Sequence, residues 1–183
     1  MKQLTYQRKI AKFQSLVIYF TIYSFIGWAL ETAYAFYVHG HYVNRGFLFG
    51  PLCPVYGYGA IILIIFFKKY RKHSLKLFFI AGFVFSAFEY ITGYALEAMF
   101  QLKWWDYTND FLNLNGRISL LYSFIWGIAA ILFINHIHPF IQKNTRKFLR
   151  KIPYLYRTIL VSCIIVAVFV DTLLSSLSVL KII

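Results

Sequence analysis

Five apolar stretches, about 15–38, 55–67, 77–100, 118–138 and 158–180, alternate with short segments rich in basic or turn-forming residues. A helix that crosses the hydrocarbon layer needs about 20 apolar residues. Four of the stretches reach that length, and the second falls short. The run ahead of it, Phe47-Leu-Phe-Gly-Pro-Leu-Cys-Pro-Val-Tyr56, is also mostly apolar. Pro51 and Pro54 each lack a donor N–H and crowd the preceding turn, so no regular helix passes through them. Irregular backbone survives at membrane depth only where protein or a water-filled cavity surrounds it. The pattern predicts an all-α bundle of five transmembrane helices, one transmembrane domain over 1–183, with a broken or re-entrant entry at 44–56 into the second helix.

Composition agrees with lipid as the main solvent. The chain is 60% hydrophobic and 14% charged, against about 25% charged in a soluble domain. A net charge of +13 raises the question of nucleic acid. The bases, however, sit in short runs between apolar stretches, as they do when facing anionic lipid headgroups. Apolar sequence from Ser15 to about Val38 is too long for a signal core, and no small-residue cleavage site follows. Cys53 and Cys163 fall at different expected depths, which argues against a disulfide between them.

Lysine and arginine set the orientation. Fifteen of the nineteen lie before the first stretch, at 68–76 or at 143–157; only Arg45, Lys103, Arg117 and Lys181 lie opposite. The fifteen mark the cytoplasmic side, so the N-terminus is expected in the cytoplasm and the C-terminus outside.

Glu31, Glu89, Glu97 and Asp171 all fall within expected spans. At about 1.5 Å per residue they belong to the outer half of the membrane. A carboxylate there costs about 2.5–3.5 kcal/mol and must face a partner or water. Gly82, Ser86, Glu89, Gly93 and Glu97 share one helical face, as do Thr21, Ser24, Trp28, Glu31 and Ala35. Asp171 shares its face with Ala167, Ser175 and Ser178, and Ser119, Ser123 and Gly127 form another small-residue face. Small residues let helices approach closely, so these stripes are packing faces that also carry the acids. Arg45, in Asn44-Arg-Gly46, and Arg117, in Asn115-Gly-Arg117, are the natural counter-ions. These groups define a candidate substrate or ion pocket: Glu31, Asn44, Arg45, Glu89, Glu97, Arg117 and Asp171. The alternative is that the pairs only fix helix register.

Gly27-Trp-Ala-Leu-Glu31 reads like Gly93-Tyr-Ala-Leu-Glu97, and each precedes an Asn/Gly/Arg triplet and a returning helix. That suggests two parallel helical-hairpin repeats plus a fifth helix, with Glu31–Arg45 and Glu97–Arg117 as equivalent pairs and Glu89 outside the symmetry. Trp104, Trp105, Asp106 and Tyr107 form either an interfacial aromatic belt or an outer lid, with Asp106 bonding Arg117 or a loop N–H. No phosphate-binding glycine loop is present, so the chain does not hydrolyse ATP alone. No His/Cys cluster has metal-ligand spacing, and no cofactor is implied. His136 and His138 read as interfacial residues, with Pro139 ending their helix.

Gly27-Trp28…Glu31, Asn44-Arg-Gly-Phe-Leu-Phe-Gly-Pro-Leu-Cys-Pro-Val-Tyr-Gly57, Glu89…Gly93…Glu97, Trp104-Trp-Asp-Tyr107 and Asn115-Gly-Arg117…Trp126-Gly127 together resemble a bacterial family. It is the one catalogued as putative ABC-transporter type IV, or CmpB-like permeases. The likeness runs from about Phe25 to Pro139; Thr108 stands where the family usually has Ser, and the last helix with Asp171 lies beyond it. The resemblance implies a small multi-pass protein of the bacterial plasma membrane. The functional expectation is a permease-like transport subunit, taking a cationic or zwitterionic ligand or protons, and working with a separate ATPase subunit, an ion gradient or a second copy of itself. The alternatives are a membrane-embedded enzyme acting on lipid-linked or envelope substrates, and a non-catalytic scaffold.

Overall fold

A computed structural model describes residues 2–180, with side chains from Tyr6 onward; Lys181, one of the four outer bases, lies outside the described residues. The chain is helical, with α1 at Lys2–His39, α2 at Pro54–Ile62, α3 at Ser74–Phe100, α4 at Leu120–Leu132, α5 at His138–Leu149 and α6 at Tyr154–Val179. A π-helical segment, Leu63–Phe67, continues α2, and a second one, Phe133–Ile137, joins α4 to α5. Among the described residues the only β pairing is an isolated bridge between Leu114 and Ile118.

Four helical stretches are long and apolar enough to cross a membrane: Tyr6–His39, Ser74–Phe100, Leu120–Leu149 and Tyr154–Val179. Tyr34, Phe79, Phe83, Phe124 and Phe169 on these helices are exposed, which suits a lipid surround. The segment from Pro54 to Phe67 is too short to count by length. Pro54 opens α2, where its missing N–H is no loss.

Two boundaries differ from the sequence pattern. α1 starts at Lys2 rather than near 15, because Ala, Leu, Lys and Gln favour helix and nothing before Ser15 breaks it. Pro139 does not end its helix; the chain continues to Leu149. Proline clashes with the carbonyl four residues back, here that of Asn135, which sits in the π segment and accepts from Arg71 Nη2 at 3.4 Å. The wide turn and the guanidinium together let the helix pass. His138 is accordingly buried, its ring stacked on Phe133.

The chain divides into two compact units, 1–61 with 145–183, and 62–144. Within the first, α1 meets α6, with Gln14 Nε2 donating to Thr158 Oγ1 at 3.0 Å. α1 also meets α2 closely: a Cβ on Gly57 would strike Phe20 and Ser24, and one on Gly27 would strike the Tyr56 ring. On α6 the small-residue face holds at Asp171, Ser175 and Ser178, but Ala167 is exposed rather than part of it.

The second unit is built on α3 against α4. Leu77, Ala81 and Phe85 pack on Ala130, Ile134, Leu63 and Phe67 to form its core. Gly82 and Gly127 mark the tightest approach: a Cβ would lie 3.0 Å from Ser123 O at the first and 2.6 Å from Phe78 Cδ2 at the second. Ser86 Oγ donates across to Ser123 Oγ at 2.6 Å. The core occupies the first half of α3, leaving its second half for the polar groups below.

Replacing Gly127 by Leu forces α3 and α4 apart and is expected to destabilise the protein by about 3 kcal/mol. Phe79→Leu, on an exposed face, is expected to change it by less than about 0.5 kcal/mol. Thermal unfolding in lipid nanodiscs checks both.

Candidate functional site

In the first unit, Glu31 is half-buried on α1. Tyr56 Oη, from the first turn of α2, donates to Glu31 Oε1 at 2.6 Å, and Arg45 Nε lies 3.8 Å from Glu31 Oε2. Asn44 stands beside them: its Oδ1 accepts from Trp28 Nε1 at 2.8 Å, and its Nδ2 donates to Phe49 O at 3.3 Å. Gly46 takes φ +102°, a backbone conformation open to glycine.

Asp171 is occupied differently. Its carboxylate accepts from Phe49 N at 3.0 Å, Gly50 N at 2.9 Å and Ser175 Oγ at 3.2 Å. Cys53 N reaches Ser24 O at 2.9 Å. The irregular stretch before α2 therefore finds its acceptors on α6 and α1. Gly50 is required there, since a Cβ would lie 2.8 Å from Asp171 Oδ2. No cation lies within ion-pair distance of Asp171 among the described residues.

In the second unit, Glu89 is buried on α3. Tyr107 Oη donates to Oε1 at 2.9 Å and Trp126 Nε1 donates to Oε2 at 2.8 Å. Glu97, two turns further on, pairs with Arg117 Nη2 at 2.7 Å. The Arg117 guanidinium also lies 5.5 Å from the Tyr90 ring centre and 5.4 Å from that of Tyr94, within cation–π range.

The connection from α3 to α4 is pinned along its length. Trp105 Nε1 donates to Arg117 O at 3.0 Å, and Gly93 leaves room for the Trp105 ring against α3. Tyr107 stacks on Tyr122 with centroids 4.2 Å apart. Asn113 Nδ2 donates to Thr108 O and Asp110 O, and Gly116 N donates to Asn113 Oδ1. Asp106 takes the N–H of Thr108 at 3.0 Å and also bonds the Thr108 hydroxyl, with Lys103 Nζ at 3.5 Å. Of the two partners the sequence suggested for Asp106, it has the loop N–H and not Arg117, which goes to Glu97.

The structure thus brings together Glu31, Asn44 and Arg45 in one unit, and Glu97 with Arg117 in the other. It gives Asp171 to the backbone before α2 and Glu89 to two aromatic donors. Sequence reasoning missed the aromatic donors: Tyr56 to Glu31, Trp28 to Asn44, and Tyr107 and Trp126 to Glu89. The signal was available: a Tyr or Trp inside a span carries a polar tip that must find an acceptor. Among the described residues no three His, Cys, Asp or Glu side chains gather as metal ligands.

Asp171→Ala strands the Gly50 N–H and weakens the contact to Phe49 N. It is expected to destabilise the protein by about 3 kcal/mol, and Asp171→Asn by roughly half that, read from thermal unfolding. A second expectation concerns Asp106, which the Thr108 hydroxyl, the Thr108 N–H and Lys103 hold below the usual aspartate range. A carboxyl lowered on folding adds stability above its unfolded value and loses it as pH falls through the folded one. Protection of the Thr108 amide from hydrogen exchange is therefore expected to drop as the pH is taken below about 4, and Asp106→Asn to remove that pH dependence.

A family model described as putative ABC-transporter type IV matches residues 18–176. No curated protein and no solved structure matches the chain.

Proposed function

The chain belongs to the family described as putative ABC-transporter type IV, and from that premise we propose that it is a permease-like membrane subunit energised by a separate ATPase. The supporting observation is the half-exposed Glu31–Arg45 pair, with side-chain exposures of 34% and 44%. Replacing a pair kept only for packing with apolar residues is often neutral or stabilising. Glu31, Asn44 and Arg45 form the polar lining of an outward-facing site for a cationic or zwitterionic ligand. In the other unit, Glu97 and Arg117 form a second polar cluster, with Trp104–Tyr107 as its outer lid.

The setting is the bacterial plasma membrane, with the N-terminus in the cytoplasm and the C-terminus outside. Fifteen of nineteen bases on one side require an odd number of crossings. The stretch from about 44 to Phe67 is then the fifth, a re-entrant chain leading into a short helix.

The test is ligand-induced thermal stabilisation of the purified protein in nanodiscs against cationic and zwitterionic amino acids. A true ligand at about 100 times its Kd adds about 2.7 kcal/mol, and Glu31→Gln is expected to abolish that gain. Stabilisation that survives Glu31→Gln would overturn the site. One observation favours a second reading, a non-catalytic scaffold: Glu31, Glu89, Glu97 and Asp171 each have partners within their own unit. Under that reading no compound stabilises the protein, while Glu31→Gln lowers its melting temperature.

A further inference from the structure

The two hairpins share more than apolar composition. Phe20 packs on Gly57 in the first, and Phe78 packs on Gly127 in the second. The residue before each glycine is an aromatic donor that holds a carboxylate on the preceding helix: Tyr56 on Glu31, Trp126 on Glu89. Phe20 and Phe78 are 58 positions apart, as are Ser24 and Gly82, Phe25 and Phe83, Ala29 and Ala87, and Glu31 and Glu89. On the returning side the offset is 70. It relates Gly46 to Gly116, both with positive φ, then Tyr56-Gly57 to Trp126-Gly127, and Ala60 to Ala130. The π segments Leu63–Phe67 and Phe133–Ile137 obey the same offset. So do the close approaches, Cys53 N on Ser24 O and Ser123 O beside Gly82.

This register differs from the one suggested by Gly27–Glu31 and Gly93–Glu97. That offset, 66, would set Phe20 on Ser86, whereas the residue packed on Gly127 is Phe78. Glu89 is the counterpart of Glu31, and Glu97 with Arg117 is an addition to the second copy.

The copies differ in the second partner of the carboxylate. Glu31 faces a guanidinium, which carries a permanent charge and can only donate. At the position equivalent to Arg45 the second copy has Asn115, whose Nδ2 goes to Tyr90 Oη. Glu89 has no cation within ion-pair distance among the described residues. Its neighbours from the connection and α4 are Tyr107, with Tyr122 stacked behind it, and Trp126. On α3 the ionisable neighbour is Tyr90, and Arg117 beyond it is engaged by Glu97. Trp126 Nε1 only donates, so it holds Oε2 in either state. Tyr107 Oη donates to Oε1 when the carboxyl is ionised and, by rotating its hydroxyl, accepts from Oε1–H when it is protonated.

We propose that the chain is an internal duplication of one carboxylate–aromatic hairpin, and that Glu89, the copy without a cation, is a proton-binding site inside the membrane. The carboxylate takes one proton on Oε1, which then bonds Tyr107, and gives it back by the reverse step. This stands apart from the transport reading, because it concerns occupancy by protons and not turnover.

Infrared spectroscopy of the full chain in nanodiscs tests it, and six Asp and Glu residues in all keep the carboxyl region readable. An acid carboxyl band is expected in the wild type and to fall reversibly as the pH is raised. Glu89→Gln is expected to abolish the band. Arg45→Gln, which makes the first copy resemble the second, is expected to add a second acid band of about equal size, itself lost in Glu31→Gln/Arg45→Gln. Absence of an acid band in the wild type, or its persistence in Glu89→Gln of unchanged helical circular dichroism, would overturn the proton site. Should Glu89→Gln not fold, Arg45→Gln alone decides: no second band overturns the equivalence of the copies.

Discussion

Backbone N–H and C=O groups outside regular helix need partners, above all where lipid excludes water, and this constraint sets where several of the charged residues stand. Its clearest expression is Asp171. Fourteen residues, Gly40 to Cys53, follow no regular helix. The N–H groups of Phe49 and Gly50 are met by a carboxylate and a serine on α6, and that of Cys53 by a carbonyl on α1. The same constraint operates at Asn135, where Pro139 removes a helical donor and Arg71 supplies another. In both places the charged residue answers a specific backbone group, so its position in the fold follows from where the helix is interrupted.

A second device places the carboxylates on α1 and α3. A glycine brings two helices together, and the aromatic residue just before it reaches across with a polar tip. Tyr56-Gly57 and Trp126-Gly127 both do this. Small residues are favoured at such crossings because packing and hydrogen bonds, rather than water exclusion, hold helices together in lipid. The chemical character of each site then depends on a single further neighbour. Arg45 sets a permanent cation beside Glu31, while the phenol of Tyr107 can either donate to or accept from Glu89.

The apolar lengths made the helices legible, and the positions of Glu31–Arg45 and Glu97–Arg117 as ion pairs could be read from opposing charges at helix ends. The continuation through Pro139 was not legible, since proline usually ends a helix and the compensating Arg71 lies 68 positions away in sequence. Asp171 was assigned to a pocket because an intramembrane acid looks the same in sequence whether it serves a ligand or a backbone. The proposed repeat takes a different register from the one that the sequence suggests. Gly-x-Ala-Leu-Glu is built from common membrane residues, whereas the decisive marker, which phenylalanine sits on which glycine, exists only once the helices are packed.

The short segment from Pro54 to Phe67 bears on the proposed topology. Pro54 to Phe67 is fourteen residues, or about 21 Å of helix, against a hydrocarbon layer of about 30 Å. The missing depth, about 9 Å, corresponds to about three residues of extended chain. The stretch before Pro54 has more than enough length and, through Asp171 and Ser24, satisfied donors. The N–H groups of Phe49, Gly50, Leu52 and Cys53, those nearest Pro54, all have partners, as irregular backbone in a five-crossing chain needs in lipid. The arrangement also explains why the acid responsible belongs to the last helix: α1 supplies one acceptor, Ser24 O, to Cys53 N, and the N–H groups of Phe49 and Gly50 find theirs on α6.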